Sequence, residues 1–393
     1  MLTLVFLLMI LMAVTGWYFA KDFFAPYVIA PCIWIIIIIL YKLLPSDIYP
    51  IANQFPGALA VWSMGFFLSS CMTEYITPAA SYKSANLQPN KILLRAYILI
   101  SITVVPMICI YIFWLAFTTE PETMFRYMRI MSTKTDDAIQ PPDFGPLIYC
   151  CSVAYVSLFF VFIYFKNKWL IASVILANIM YAFVNMAKIN FLCIIFSSLY
   201  LGYSRGIVKK KHLILGLLFF VTLSFILQSV RAVGEELSLV EMFSLYLTSS
   251  IVAFDYFVEP ASALSFGENS LRFIYAVGYS LGISEAPIQT ILDFVGIPFP
   301  TNTYTLMYPF YKDFGILGIA LFSIIYGCIY GYLYKKTRTG SKLGLIIYAI
   351  FLTFLLLEFF AELIFTNLSQ TLQYVILTAL PFIFSNENNK CVK

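Results

Sequence analysis

The chain has 393 residues, of which 61% are hydrophobic and only 11% charged, with a formal net charge of +4. A water-soluble globule carries about 25% charged residues on its wetted surface, so this supply of charge excludes that class and predicts a protein covered by lipid. The small, scattered positive balance also excludes nucleic acid as a partner.

Crossing a hydrocarbon core of ~30 Å as a helix takes about 20 apolar residues. Runs of that kind lie near 2–20, 23–41, 56–76, 93–117, 146–165, 169–186, 189–203, 213–230, 314–334, 343–361 and 367–384. Backbone polar groups in lipid must be satisfied within their own segment, so each run is predicted as a helix. The expectation is an all-α, polytopic transmembrane bundle of about 11 spans, forming a single integral membrane domain over 1–393. The first run has neither a basic leader nor a small-residue cleavage site, and it reads as a mature span.

Loop charge orients the bundle. Placing the loops at 166–168, 204–212 and 335–342 on one side also places Lys21, the 78–95 loop and the C-terminal tail there, gathering most of the lysines and arginines. The opposite side keeps Glu120, Glu122, Asp136, Asp137, Glu235, Glu236, Asp293 and Asp313. The positive-inside rule makes the basic side cytoplasmic, with the N-terminus outside and the C-terminus inside. Two extracytoplasmic loops are large, 118–145 and 231–313. In the second, residues 237–258 are apolar except for a stripe of Glu241, Ser244, Thr248, Asp255 and Glu259, while the apolar stretch 271–283 is too short to span. Both are predicted as interfacial amphipathic helices whose polar stripe faces a cavity or water.

The chemistry-bearing residues fall mainly on the outer side. Lys188 interrupts a long apolar stretch at Asn185-Met186-Ala187-Lys188-Ile189-Asn190. It reads either as a hairpin lysine reaching the headgroups or as a phosphate ligand. Arg231, opening the larger loop, is either an interface anchor or a planar fork for phosphate oxygens, and Arg272 is a weaker candidate of the same kind. Prolines at 298 and 300 break any helix before Thr301-Asn302-Thr303-Tyr304-Thr305, a turn whose amide, hydroxyl and aromatic groups also suit sugar hydroxyls. Glu358 and Glu362 are expected four residues apart on one helical face, as a packing hydrogen bond or a general base. Asp313-Phe314-Gly315 matches the kinase metal-binding tripeptide, but no glycine-rich or catalytic loop accompanies it. The eight cysteines form no C-x-x-C or Cys/His cluster, which argues against a disulfide framework or zinc site, and the single histidine, His212, follows three lysines as part of the orientation signal.

Pro300-Thr301-Asn302-Thr303-Tyr304-Thr305, followed by Asp313-Phe314-Gly315 and a Gly318-containing span, resembles the O-antigen polymerase (Wzy) family of Gram-negative bacteria. So do Arg231 leading into Leu245–Phe254, Lys188 at its helix hairpin, and Glu362 with Thr366-Asn367 near the end. The resemblance covers most of 185–370 and implies a glycosyltransferase at the periplasmic face of the inner membrane. Such an enzyme moves a growing chain from undecaprenyl pyrophosphate onto another lipid-linked repeat unit. The family's loop arginines correspond here to Arg126, Arg129, Arg231 and Arg272. On this expectation Arg231, Lys188 and Arg272 steady the departing diphosphate. Asp255, Glu362 and Asp313, in falling order, take or orient the acceptor proton, and Asn302 and Tyr304 hold sugar. No Asp-x-Asp or histidine cluster suggests a metal, and no cofactor is expected. The expected partners are undecaprenyl-pyrophosphate-linked oligosaccharides and the bilayer, with the binding of a chain-length regulator left open. An O-antigen ligase is an alternative, although its expected loop histidine is missing. A lipid-linked oligosaccharide flippase is another, disfavoured because the charges gather at one face and no internal repeat is visible.

Overall fold

The computed structural model describes residues 1–44, 48–79, 87–133, 142–209, 239–259, 267–289, 292–297 and 300–385, and scattered positions between 211 and 226. In chain order its helices are α1 (Leu2–Ala20), α2 (Pro26–Leu43), α3 (Gln54–Ile76), α4 (Lys91–Thr119), α5 (Met124–Thr133), α6 (Tyr149–Tyr164), α7 (Lys168–Val184), α8 (Lys188–Ser204), α9 (Leu239–Phe257), α10 (Arg272–Ser280), α11 (Tyr308–Arg338), α12 (Lys342–Leu356) and α13 (Leu368–Ile383). The only strands among the described residues are β1 (Val295–Gly296) and β2 (Pro300–Thr301), an antiparallel pair with Val295 opposite Thr301. Each predicted run falls on one of these helices except 213–230, most of which lies outside the described residues.

Six helices among the described residues are long and apolar enough to cross a membrane: α1, α2, α3, α4, α6 with the 3-10 turn before it, and α11. Helices α7, α12 and α13 are apolar but shorter. Leu4, Leu7, Leu11 and Val14, spaced along one face of α1, are each more than half exposed, while Val5, Met9 and Met12 are buried. Water would not leave such a stripe uncovered, and lipid would.

The chain divides into two compact units, one made of Met1–Ala80, Glu236–Gly340 and Phe354–Thr371, the other of Ser81–Glu235, Ser341–Thr353 and Leu372–Lys393. Each draws on distant stretches of chain, so no linker composition marks them in the sequence.

The first unit is organised around α3 and α11. Gly65 meets Ser323, Gly327 meets Phe66, Ser69 and Ser70, and Gly331 meets Ser70, while Glu74 pairs with Arg338 at 3.0 Å. Both sets of numbers rise together, so the two helices run parallel. Small residues at four-residue spacing let the backbones touch, and in lipid that close packing replaces the hydrophobic drive for helix association. The Glu74 end is tied further by Tyr27 Oη donating to Glu74 Oε2 at 2.7 Å and Tyr334 Oη donating to Asp22 Oδ2 at 2.9 Å. At the opposite end α11 breaks at Gly315, whose φ of 62° and ψ of −150° separate a short helix from the span proper. That break falls within a residue of the predicted span start at 314. The conformation suits only glycine. Gly315→Ala should therefore lower thermal stability by about 1–3 kcal/mol, read as an earlier melt in detergent.

In the second unit α6 is buried along nearly its whole length, and hydroxyls cross-link it to its neighbours. Ser157 pairs with Ser101 of α4 at 2.7 Å, Tyr155 with Ser197 of α8 at 3.2 Å, and Ser152 donates to Gln373 of α13 at 2.8 Å. Ser197 in turn pairs with Thr353 of α12 at 2.9 Å. Inside lipid these bonds are the polar complement to small-residue packing.

One expectation is corrected. The run at 343–361 leaves the helix at Leu356, and turns follow, with Leu357, Glu358 and Phe360 bonding three residues back. Glu358 and Glu362 therefore do not share a helical face. The Glu358 carbonyl, an acceptor that a continuing helix would use itself, instead accepts Leu306 N–H at 2.9 Å. In the polar stripe of α9 and the residues just after it, Ser244, Thr248 and Asp255 are buried while Glu241 and Glu259 are exposed; in lipid the polar side of a helix seeks protein.

Candidate functional site

The end of the first unit that carries the start of α3 gathers most of the singled-out residues. Asp255, near the close of α9, caps α3 from outside: Phe55 N–H donates to Oδ1 at 2.7 Å and Ala52 N–H donates to Oδ2. The first N–H groups of a helix lack internal partners, and a buried carboxylate satisfies them while adding favourable charge. Tyr256 Oη donates to Pro50 O at 2.5 Å, fastening the same corner.

Asp313 holds the turn before α10. Its Oδ1 accepts from Asn269 N–H at 3.1 Å and Asn269 Nδ2 at 2.6 Å, and its Oδ2 from Ser270 N–H at 2.8 Å and Ser270 Oγ at 2.7 Å. That turn leads into Arg272, the first residue of α10, whose Nη2 donates to Ile288 O at 2.5 Å. Burial pushes the Arg272 guanidinium below its ordinary value. Asp313 is only 2% exposed. Asp313→Ala would strand several donors at once and should destabilise the protein by about 2–3 kcal/mol. Asp313→Asn should recover only part, since its amide nitrogen would face donors. Thermal unfolding of both variants measures this, and an unshifted Asp313→Ala melt would rule out the anchoring role.

Glu362 is gripped as tightly. Its Oε1 accepts from Ile364 N–H at 2.7 Å and Phe365 N–H at 2.9 Å, its Oε2 from Thr366 N–H at 2.6 Å, and Tyr326 of α11 donates its phenol to Oε1. Nearby, Thr301 and Thr303 of the Pro300–Thr305 run form a hydroxyl triangle with Ser249 of α9, with edges of 2.9, 3.2 and 3.2 Å. Tyr304 is buried and stacks on Tyr308 with centroids 4.7 Å apart, while Asn302 is half-buried. Burial, with Tyr308 and Asp293 adding to it, pushes the Tyr304 phenol up to about 12, so it remains an O–H donor at neutral pH.

Asp255, Asp313, Glu362, Arg272, Asn302 and Tyr304 thus all belong to the first unit. Lys188 belongs to the second, half-buried at the first residue of α8. The turn before it contains Met186, fully buried with a left-handed φ of 50°. Helix α5 docks on this hairpin: the Ser132 hydroxyl donates to Asn185 O at 2.8 Å and to Arg129 O at 2.9 Å, and Phe125 lies edge-on to Phe183 at 5.8 Å. Arg129 and the Lys188 hairpin are therefore neighbours. Spacing alone did not reveal this, although the alternation of methionine and arginine in Met124-Phe125-Arg126-Tyr127-Met128-Arg129 is the signal of a surface-lying helix. Arg231 lies outside the described residues.

These features define a helical membrane protein with a dense polar layer at one end of its first unit. No protein-family model matches the chain, and no curated protein or solved structure is significantly similar to it.

Proposed function

We propose that the protein is a membrane glycosyltransferase of the O-antigen polymerase kind, working at the extracytoplasmic face of a Gram-negative inner membrane. It joins oligosaccharide repeat units carried on undecaprenyl pyrophosphate. The observation that supports this reading is that the Pro300–Thr305 run, bonded to Ser249 of the helix that carries Asp255, belongs to the same compact unit as Asp255, Asp313 and Glu362, with Asp255 at the start of α3 and Asp313 beside the Gly315 break. That end is opposite to the one bearing the Glu74–Arg338 pair and the basic end of α11.

In the proposed reaction an acceptor hydroxyl attacks C1 of the donor sugar. The C1–oxygen bond to the diphosphate breaks, a glycosidic bond forms, and undecaprenyl pyrophosphate departs with the bonding electrons. The hydroxyl proton passes to a carboxylate. Asp255 accepts fewer N–H bonds than Asp313 or Glu362, which keeps it first among the three. Asn302 contacts sugar, and Tyr304 orders the segment that presents it. A half-buried guanidinium gains most from an adjacent anion, which favours Arg272 as a diphosphate ligand. The charge of Arg231 and Lys188 suits phosphate, the role that the family resemblance implies for them. The scissile glycosyl-phosphate bond supplies the driving force, so no ATP is consumed.

Purified protein incubated with a synthetic undecaprenyl-pyrophosphate-linked repeat unit should yield a ladder of longer lipid-linked products. Unchanged substrate, with protein shown folded, would overturn the reading.

A further inference from the structure

One carboxylate in the first unit has no part in that reaction. Glu358 is 1% exposed, and neither of its carboxylate oxygens has a hydrogen-bond partner. Its backbone is fixed, with the carbonyl accepting Leu306 N–H at 2.9 Å. The indole N–H groups of Trp34 (α2) and Trp62 (α3) face the carboxylate without meeting it in hydrogen-bond geometry. Both indole nitrogens are themselves buried and unpartnered, on residues exposed by no more than 1%. Trp62 stands in the third turn of α3, about 12 Å along its axis, so the group lies well below the helix end.

Glu358 differs from the neighbouring acids. Asp255, Asp313 and Glu362 are each surrounded by N–H or O–H donors in bonding position, which suits a permanent anion. Glu358 has none in position. The titratable groups facing it are Tyr326 and Tyr330 from α11 and, on its own segment, Glu362. None of these carries a positive charge, and the Glu74–Arg338 ion pair is at the other end of the unit. A bare buried anion is very costly, whereas the neutral acid is tolerated. Yet two donors stand close enough to turn toward an anion once it forms, and a merely structural acid would need neither.

We propose that Glu358 is a reversible proton-binding site, holding a proton in the resting protein, with the Trp34 and Trp62 indoles placed to receive the carboxylate when that proton leaves. The proposal concerns the protein itself and does not depend on glycosyl transfer.

Infrared difference spectroscopy on the full-length protein in nanodiscs tests it. At pH 7 the wild type should show a protonated-carboxyl C=O band that is lost in Glu358→Gln and kept in Glu362→Gln. Trp62→Phe and Trp34→Phe each remove one donor. Each should raise the pH at which the band disappears by about one unit or more. A missing band at pH 7, or one untouched by Glu358→Gln, would overturn the proposal. If Glu358→Gln fails to accumulate, the tryptophan variants decide: an upward shift supports the proposal and an unmoved midpoint overturns it.

Discussion

Gly327→Val should leave little or no folded protein. A Cβ at 327 would lie 2.6 Å from Phe66 O and 2.9 Å from Ser70 N, and would also strike Ser69 Oγ. Two of these are backbone atoms of α3, so no rotamer change makes room and the helices must part. Ordinary overpacking costs about 1–3 kcal/mol. Here the separation would also undo the Gly65–Ser323 and Gly331–Ser70 contacts and the stacking of Trp62 on Phe310. No hydrophobic drive compensates within lipid. Fluorescence-detected size exclusion of a tagged variant reads the outcome. Gly57→Ala is the control, since its nearest neighbour would be Met1 Cε at 3.5 Å and its profile should match wild type. A monodisperse Gly327→Val peak of normal height would contradict the packing described for α3 and α11.

Arg231→Ala should abolish long polysaccharide while leaving protein level and membrane insertion unchanged. The reason is electrostatic. A diphosphate leaves readily only if its growing charge is met by fixed cations in a water-poor site, and one such contact is typically worth ~3 kcal/mol, or about a hundredfold in rate. Arg231→Lys should restore part of the activity, because an ammonium cannot make the two parallel bonds of a guanidinium. Gel profiles of lipopolysaccharide from complemented cells measure both. A normal ladder from the alanine variant would remove Arg231 from the site without touching the fold. A bare core, with not even one repeat unit attached, would point to ligase or flippase loss and so against the polymerase reading.

The helices were legible because lipid imposes a single requirement: an apolar segment of sufficient length that satisfies its own backbone. The ends of α1, α3 and α4 accordingly fall within two residues of the apolar runs. Legibility failed where a side chain took over from backbone periodicity. Hydropathy carries the 343–361 run through Glu358, but the chain turns after Leu356 and the Glu358 carbonyl bonds Leu306 N–H instead of the next helical turn. The α9 stripe was read at its positions, but periodicity could not tell which members the protein would enclose: Ser244, Thr248 and Asp255 are buried, and Glu241 and Glu259 are exposed. Asp255, Asp313 and Glu362 were recognisable as unusual carboxylates, though nothing local disclosed that Asp255 and Asp313 each secure backbone far away in the chain while Glu362 holds the turn that follows it. Glu358 stood out least in sequence, since its distinction is the bonding that it lacks, and only three-dimensional surroundings reveal that.

The shared direction of α3 and α11 constrains everything threaded between them. Two segments that pierce a bilayer in the same sense can be joined only by chain that traverses it an odd number of times. The five apolar runs read from the sequence between 93 and 230 would meet that parity if each crosses; removing one crossing, or inserting another, would then turn α11 upside down against its partner. The glycine–serine seam therefore acts as a counting device. Any insertion or deletion tolerated between residues 77 and 307 has to preserve oddness, which makes paired-span deletions the only large rearrangements compatible with this seam.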